Sequence, residues 1–296
     1  MNVESYLEEK KHIIDIALEN TLQPLKDNSL LYAAMSYSLL LGGKRIRPIL
    51  MLSSYEATRE DSSGILPFAC AIEMIHTYSL IHDDLPIMDN SDMRRGRASC
   101  HKVYGSDMAL LAGDALLSYA FELVSIPVSS KEIGYDRLIR VINLFASASG
   151  VKGLVGGQVM DMVSTSEEEI ALETVTYIDR LKTASLIKLA VESGGILAGI
   201  EDEELLSLGR FGENLGVSYQ AIDDVLDETS SADVLGKDTG QDKKNKKATF
   251  VALLGVDGAK KHARTLLDKA IDFLKPYGDK YEVLKEIAEF SYERIK

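Results

Sequence analysis

Apolar residues recur along much of the chain at the three- and four-residue spacing of helices that bury one face. The clearest stripe consists of Ala263, Leu266, Leu267, Ala270, Ile271 and Leu274. A looser stripe near the start contains Leu7, Ile14, Leu18 and Leu22. Residues at this spacing share one side of an α-helix, whereas the strict alternation typical of strands is scarce. The pattern predicts an all-α fold.

Prolines and polar stretches indicate where the helices begin and end. Pro48, Pro67 and Pro86 each lie where a helical pattern should start or break, because proline lacks the backbone N–H that continues a helix. The polar residues 91–105 and 230–247 are predicted to form loops. No linker rich in Pro, Ser or Gly separates one half of the chain from the other, so a division into domains is not indicated.

The composition is that of an ordinary globular protein that can support a large core. Of the 296 residues, 46% are hydrophobic and 27% are charged. Residues 1–296 are predicted to form a single domain. The formal net charge of -13 argues against a general nucleic-acid binder and against attraction to anionic membranes. An anionic substrate would therefore have to be bound through local basic clusters or metal ions.

The sequence carries no recognisable export or membrane signal. Its acidic start lacks the apolar core of a signal peptide, and no uninterrupted apolar run reaches the ~18 residues needed to cross a bilayer. Cys70 and Cys100 are too few for a disulfide framework and lack metal-ligand spacing, so we expect reduced thiols in or near the core. We expect a soluble cytoplasmic protein without a membrane span.

Two clusters of aspartates lie within apolar, helix-favouring sequence. The first contains Asp83, Asp84 and Asp89, and the second contains Asp223, Asp224 and Asp227. Asp223 and Asp227 are four residues apart, so a helix would place them on one face, a turn apart. Such carboxylates repel one another unless cations lie between them, and oxygen ligands of this kind suit magnesium. Two facing clusters would form a magnesium site for a diphosphate.

The first cluster cannot lie on one regular helix. Leu85 and Pro86 separate its acids, and proline breaks the helical turn. We therefore expect these aspartates at a helix end, where the chain bends back towards a metal. A solvated helix terminus is the alternative for this cluster taken alone.

Basic residues are spaced to complement the acids. Lys44, Arg45 and Arg47 lie between two glycines and a proline, and Arg94 and Arg95 follow the first acid cluster. Glycines allow close backbone approach, and the guanidinium fork binds phosphate oxygens through two hydrogen bonds. The alternative for each group alone is a solvated basic turn.

Three further residues are candidates by position. His76 lies seven residues before Asp83 and so on nearly the same helical face, although a lone histidine is more often structural. Lys182 and Thr183 interrupt an otherwise helical stretch with a cation and a hydroxyl. The alternative to a functional role for Lys182 is an ordinary exposed lysine.

Taken together and in this order, the motifs resemble those of the trans-prenyltransferases, the isoprenyl diphosphate synthases. The motifs are Gly-Gly-Lys-Arg-Ile-Arg-Pro, the first aspartate cluster with Arg-Arg-Gly, Lys-Thr, and Gln-x-x-Asp-Asp-x-x-Asp, and they span nearly the whole chain. Residues 75–82 are most similar to bacterial farnesyl diphosphate synthases. The resemblance implies an all-α, single-domain helical bundle around a central apolar cavity, and a homodimer.

The resemblance also implies a role for each matching residue. Asp83, Asp89, Asp223 and Asp227 would hold about three Mg²⁺ ions, with Asp84 and Asp224 in support, as roughly three divalent ions balance six carboxylates. The isopentenyl diphosphate site would contain Lys44, Arg47, His76 and Arg95. The allylic diphosphate site would contain Arg94, Lys182, Thr183, Gln220, Lys237 and Lys247. Lys182 and the six aspartates would be the catalytic residues.

Product length in this family depends on residues four and five before the first aspartate. These are Ser79 and Tyr78 here, and a large ring followed by a small residue resembles the bacterial farnesyl pattern. One helical turn rises ~5.4 Å, so a ring at this depth can stop a chain within a few isoprene units. We expect a C15 product, with geranylgeranyl or geranyl diphosphate synthase as the alternatives.

Two rival functions differ in the residues they require. A terpene cyclase would share the fold, but its second metal motif typically mixes Asn, Ser or Thr with Glu and it has little use for Lys44, Arg47 and His76. A regulatory subunit of a heteromeric prenyltransferase would usually lack one or both aspartate motifs. Residues 290–296 could not be matched to the basic tail that can cover the isopentenyl site in this family.

Overall fold

The computed structural model describes residues 2–27, 29–125, 133–164, 170–229 and 248–295, and almost all of them are helical. The first half contains α1 (Val3–Leu22), a 3₁₀ turn (Gln23–Leu25), α2 (Leu30–Leu39), α3 (Ile46–Glu56), a 3₁₀ turn (Ser63–Ile65), α4 (Leu66–Asp83), α5 (Cys100–Tyr104) and α6 (Ser106–Ser125). The second half contains α7 (Tyr135–Ser149), α8 (Leu154–Ser164), α9 (Leu172–Asp179), a π-helical segment (Arg180–Ala184), α10 (Ser185–Ala198), α11 (Asp202–Thr229), α12 (Phe250–Leu274), a 3₁₀ segment (Lys275–Tyr281) and α13 (Glu282–Glu293). The all-α prediction is confirmed.

Local sequence explains several helix boundaries. The side chains of Asn2, Ser29 and Thr249 accept hydrogen bonds from backbone N–H groups of α1, α2 and α12, which have no partner within the helix. Pro48 and Pro67 lie in the first turns of α3 and α4, where no helical hydrogen bond is lost. The helix starts predicted from these prolines are confirmed.

The core is built around α4, which packs against α3 and α6 and is buried along most of its length. On the other side, α10 packs against α3 and α11, and α11 packs along α12. The predicted stripe of α12 is buried except for the half-buried Ile271, and the α1 stripe is buried except for the half-buried Leu7. Cys70 and Cys100 are free and buried, as predicted.

The loop prediction for residues 91–105 is wrong in part. Met93–Arg94 and Arg97–Ala98 form a two-stranded antiparallel hairpin, β1 and β2, and α5 follows it. The intervening Arg95 and Gly96 both have positive φ, 50° and 78°, which suits a tight hairpin turn. Two-residue strands leave too few positions for an alternating pattern to be seen, so the sequence could not indicate them.

Three helical stretches are long and apolar enough to cross a membrane by length and composition. They are Ser63–Asp83, Ser106–Ser125 and Tyr135–Ser164, each with a mean hydropathy of 1.4. The first is 72% buried inside the protein, whereas the others are only 39% and 33% buried. The absence of a membrane span stays a prediction, and the outward faces of α6, α7 and α8 are notably apolar.

Candidate active site

A cavity of about 690 Å³ opens between α4, α8, the π-helical segment and α11. Its wall includes most residues predicted from the sequence: Lys44, Arg47, His76, Ser79, Asp83, Arg94, Arg95, Lys182, Thr183, Gln220, Asp223 and Asp224. Apolar wall is supplied by Leu41, Ile46, Leu80, Leu154, Leu186 and Leu226. Tyr78, Asp84, Asp89 and Asp227 stand outside this wall, and Lys237 and Lys247 lie outside the described residues.

The first aspartate cluster sits where α4 ends. The N–H of Asp89 donates to the carbonyl of Asp83 over 2.9 Å, and the N–H groups of Met88 and Asn90 both donate to the carbonyl of Leu85. These bonds fold the chain back after the helix, which confirms the predicted bend. The backbones of Asp83 and Asp89 are thereby brought together although Pro86 prevents a continuous helix.

Asp84 has a different environment from its neighbour Asp83. It is 3% exposed, and the Nε of Arg94 lies 3.2 and 3.1 Å from its two oxygens, while Nη2 contacts Oδ1 as well. Burial raises the pKa of Asp84, while Arg94 opposes that shift. Both oxygens are thus used to orient Arg94, in keeping with a supporting role.

The second cluster lies on α11, and its members also face different partners. Asp223 lines the cavity and pairs with Arg294, whose Nη2 is 3.0 Å from Oδ1. Asp224 accepts hydrogen bonds of 2.9 Å from Gln220 Nε2 and from the N–H of Phe250, so it fixes the start of α12. Asp227 is 6% exposed, one turn after Asp223.

A hydrogen-bonded chain links this helix to the π-helical segment. The hydroxyl of Thr183 donates to Gln220 Oε1 over 2.9 Å, and the same amide group donates to Asp224. Because each member is held by the next, the amide and hydroxyl face the cavity in a fixed orientation.

Lys182 is held between two helices by an acid that the sequence did not single out. Its Nζ is 2.6 Å from Asp161 on α8, and Asp161 is 8% exposed. Burial lowers the pKa of Lys182, but the nearby Asp83 and Asp161 carboxylates outweigh it, so the net shift is upward. Lys182 is therefore a cation that faces the first aspartate cluster.

The predicted isopentenyl half is a crowded cationic pocket. Burial lowers the pKa values of Lys44, Arg47 and Arg95. The pKa of His76 is lowered well below its ordinary value, first by burial and then by Arg47 and Arg95. Lys44 is exposed and Arg47 and Arg95 are partly exposed, so an anion entering the cavity can reach them. Neighbouring cations of this kind repel one another, and a bound anion would relieve that repulsion.

Arg294, which could not be matched from the sequence, lies in the cavity. Besides pairing with Asp223, its guanidinium stands 5.0 Å from the centroid of the Tyr219 ring. Its Nη1 is buried and has no hydrogen-bond partner among the described residues. Ile295, 7% exposed, anchors the chain beyond it. The end of the chain thus supplies a cation next to Lys44, whose pKa Arg294 helps to lower.

The two residues predicted to set product length point in different directions. Ser79 lines the cavity, and its hydroxyl donates to the carbonyl of His76 over 2.8 Å. Tyr78 is 4% exposed, its hydroxyl lies 3.4 Å from the carbonyl of Ser149, and its ring edge meets His82 at 5.6 Å between centroids. Tyr78 therefore fills the space between α4 and the end of α7.

The donor set suits magnesium only if the substrate contributes ligands. Within the described parts of the chain, no three His, Cys, Asp or Glu side chains are grouped so as to hold a metal ion by themselves. Mg²⁺ is commonly bound by one or two carboxylates together with phosphate oxygens and water. Asp83 and Asp223, which both line the cavity, fit that mode of binding, and the turn after α4 brings the backbone of Asp89 next to that of Asp83.

Comparison with known proteins identifies the family. Residues 28–289 match the family model described as Polyprenyl synthetase. The chain belongs to this family. It is 44% identical over 260 residues to a farnesyl diphosphate synthase of Geobacillus stearothermophilus, covering 88% of this chain and 87% of that protein. It is 42% identical over 293 residues to a geranylgeranyl diphosphate synthase of Cyanophora paradoxa, covering 99% of this chain and 97% of that protein.

A solved structure agrees with this membership. The geranyltransferase from Helicobacter pylori, crystallised with magnesium and isoprenyl diphosphate, superposes with a TM-score of 0.86 at 32% sequence identity. The match covers 99% of this chain and 97% of that one. The resemblance drawn from the motifs is confirmed: this member of the polyprenyl synthetase family is a trans-prenyltransferase that uses isopentenyl and allylic diphosphates.

Proposed function

We propose that this prenyltransferase is a farnesyl diphosphate synthase. It condenses isopentenyl diphosphate head to tail with dimethylallyl and then geranyl diphosphate, giving (2E,6E)-farnesyl diphosphate. The observation that carries the proposal is Tyr78, a large buried ring that fills the space between α4 and α7 one position before the cavity-lining Ser79. The relatives bear both farnesyl and geranylgeranyl names, so the names do not select a product.

We assign the allylic diphosphate to the half of the cavity lined by the aspartates. Lys182 and Arg94 supply positive charge there, and Thr183 and Gln220 supply fixed polar groups. Asp83, Asp89, Asp223 and Asp227 would hold about three Mg²⁺ ions, which neutralise the diphosphate that leaves. The magnesium-bound Helicobacter pylori relative supports this assignment. Lys237 and Lys247, also assigned to this half, lie outside the described residues.

The isopentenyl diphosphate is assigned to Lys44, Arg47, Arg95 and His76. The three cations bind the diphosphate of isopentenyl diphosphate, which stays on the product. The imidazole of His76 is neutral because its pKa is lowered, and it contributes a hydrogen bond. The two diphosphates then lie in neighbouring halves of one cavity, with apolar wall from residues such as Leu80 and Leu186. That wall excludes water from the reacting hydrocarbon, while fixed charges stabilise the separating diphosphate.

We also propose that the protein is a soluble, cytoplasmic homodimer without a membrane span. The residues Leu110, Leu111, Ile139, Val155 and Val159 are exposed on α6, α7 and α8. These helices are neighbours, because α6 packs on α7 and α7 packs on α8. Exposed apolar surface of this kind is typical of protein contacts, and a second copy of the chain would cover it.

Product analysis tests the proposed function. The purified protein is incubated with Mg²⁺, isopentenyl diphosphate and either dimethylallyl or geranyl diphosphate, and the prenyl products are sized by chromatography. We expect a C15 product from both primers. A C20 product would favour the geranylgeranyl alternative, which is the activity named for the 42% identical Cyanophora paradoxa relative. No diphosphate release from either primer would favour a regulatory subunit.

A further inference from the structure

The turn that carries Lys44 and Arg47 has an unusual backbone. Gly42, Gly43 and Arg45 all have positive φ, 89°, 124° and 53°. Glycine adopts such angles readily, but arginine does so rarely and only where its surroundings hold it. Arg45 is also the residue immediately before α3, so its conformation sets the direction in which the helix leaves the turn.

Arg45 is held by contacts to three other elements. Its Nε donates to Asp15 of α1 over 2.8 Å, its Nη1 to Glu73 of α4 over 2.6 Å, and its Nη2 to the carbonyl of Leu39 over 3.0 Å. The Arg45 side chain is 1% exposed, and its bonds to Glu73 and to the Leu39 carbonyl are shielded from water, whereas the bond to Asp15 is only partly buried. A buried guanidinium with all three nitrogens engaged is a structural group, not a free phosphate ligand.

Glu73 also faces the second basic turn. Nη2 of Arg95 is 3.8 Å from the same oxygen that Arg45 contacts, and Nη1 of Arg95 donates to the carbonyl of Gly42. The guanidinium lies so close to Gly43 that a Cβ there would be 2.6 Å from Cζ of Arg95. The two basic turns therefore interlock, with one buried carboxylate between an arginine from each.

We propose that Asp15 and Glu73 are positioning residues for the isopentenyl diphosphate half of the site. They hold Arg45 in its left-handed conformation, and this directs Lys44 and Arg47 into the cavity. Glu73 additionally offsets the repulsion among the neighbouring cations before substrate arrives, since its charge acts on Arg47 and Arg95 as well. The inference rests on the proposed function, which assigns this half to isopentenyl diphosphate.

The test compares Asp15→Asn and Glu73→Gln with a matched control, Lys11→Gln. Lys11 lies 2.6 Å from the other oxygen of Asp15, so its removal leaves the bond to Arg45 in place. Initial rates give KM for isopentenyl diphosphate and for geranyl diphosphate separately. We expect KM for isopentenyl diphosphate to rise at least about fivefold in both variants, and KM for geranyl diphosphate to stay within about twofold. Lys11→Gln should match the wild type.

A fourth variant separates failure of this inference from failure of the proposed function. Lys44→Met removes a proposed ligand directly. If it raises KM for isopentenyl diphosphate while Asp15→Asn and Glu73→Gln do not, the positioning role is overturned and the proposed function stands. If none of the three raises it, the assignment of this half fails too. Equal rises for both substrates would indicate general damage and also overturn the inference.

Folding of the variants is checked by circular dichroism and thermal melting. Glu73 is 1% exposed, and its substitution can disturb folding. Asp15 has a side chain that is 29% exposed and is safer to change. If Glu73→Gln does not fold, Asp15→Asn decides the outcome, and Asp15→Glu, which keeps the charge, should restore KM at least in part.

Discussion

At the residue scale, surroundings decide the charge of a side chain, as His76 shows. Its pKa is held well below the ordinary 6.5 by burial and then by Arg47 and Arg95. In the unfolded chain the imidazole regains its ordinary pKa. Below about pH 6.5 the unfolded state therefore binds a proton that the folded state rejects. The contribution of His76 to the free energy of unfolding is present above that pH and is lost as the pH falls.

The difference between the pKa of His76 in the folded and in the unfolded chain gives a prediction about stability. We expect the free energy of unfolding of the wild type to fall, relative to His76→Gln, by up to ~1.4 kcal/mol per pH unit below pH 6.5. Urea unfolding at about pH 7.5 and about pH 5.5 measures it. Parallel pH profiles for the two proteins would show that His76 titrates normally in the folded state.

Tyr78 carries a second prediction at this scale. Tyr78→Ala removes the ring between α4 and α7 and opens space beyond Ser79, so the growing chain should extend past C15. We expect a substantial C20 fraction from geranyl diphosphate, measured by chromatography of the products. Tyr78→Phe is the matched control, because it keeps the ring and loses only the hydroxyl near Ser149. An unchanged C15 product from Tyr78→Ala would show that Tyr78 does not limit length.

At the scale of elements, the π-helical segment depends on a close approach by α8. A Cβ added at Gly157 would lie 2.4 Å from the backbone nitrogen of Lys182, and Asp161 holds the ammonium of Lys182 from one turn further along α8. π-Helical turns are often found at functional sites, and here one displays adjacent Lys182 and Thr183 to the cavity. Glycine at 157 is what allows the helices to meet this closely.

We therefore expect Gly157→Ala to impair the allylic half. The added methyl group must displace Lys182, so kcat should fall by more than about tenfold while KM for isopentenyl diphosphate stays within about twofold. Steady-state rates measure both. Asp161→Asn, which releases Lys182 without moving the backbone, should lower kcat in the same direction. If both variants react at the wild-type rate, Lys182 is not a catalytic residue.

At the scale of the whole molecule, the apolar faces of α6, α7 and α8 predict self-association. Val159→Asp places a charge on the exposed face of α8, where Val159 is 53% exposed. We expect it to convert a dimer into a monomer, as measured by size exclusion with light scattering. Leu206→Asp is the control, because Leu206 is 56% exposed on α11, outside these three helices. A wild-type protein that is already monomeric would contradict the proposed assembly.

Much of the fold was predictable because helical periodicity is a local property. The α1 and α12 stripes, the helix starts at Pro48 and Pro67, and the interruption at Lys182 are all visible in short windows. The β1–β2 hairpin was not predictable, because its strands are too short to show a pattern. Asp161 also gave no signal: a single acid on an apolar helix becomes informative only when its partner is known.

The sequence by itself determined the helices and the spacing of acids and cations, because both depend on residues close together in the chain. Only the tertiary structure decided which charges meet. Arg294 contacts Asp223, which lies 71 residues earlier in the chain. Arg45 was a candidate phosphate ligand from the sequence, but in the structure Asp15 and Glu73 hold it in a left-handed turn. Such partners are chosen by how helices pack, and packing depends on the whole core at once.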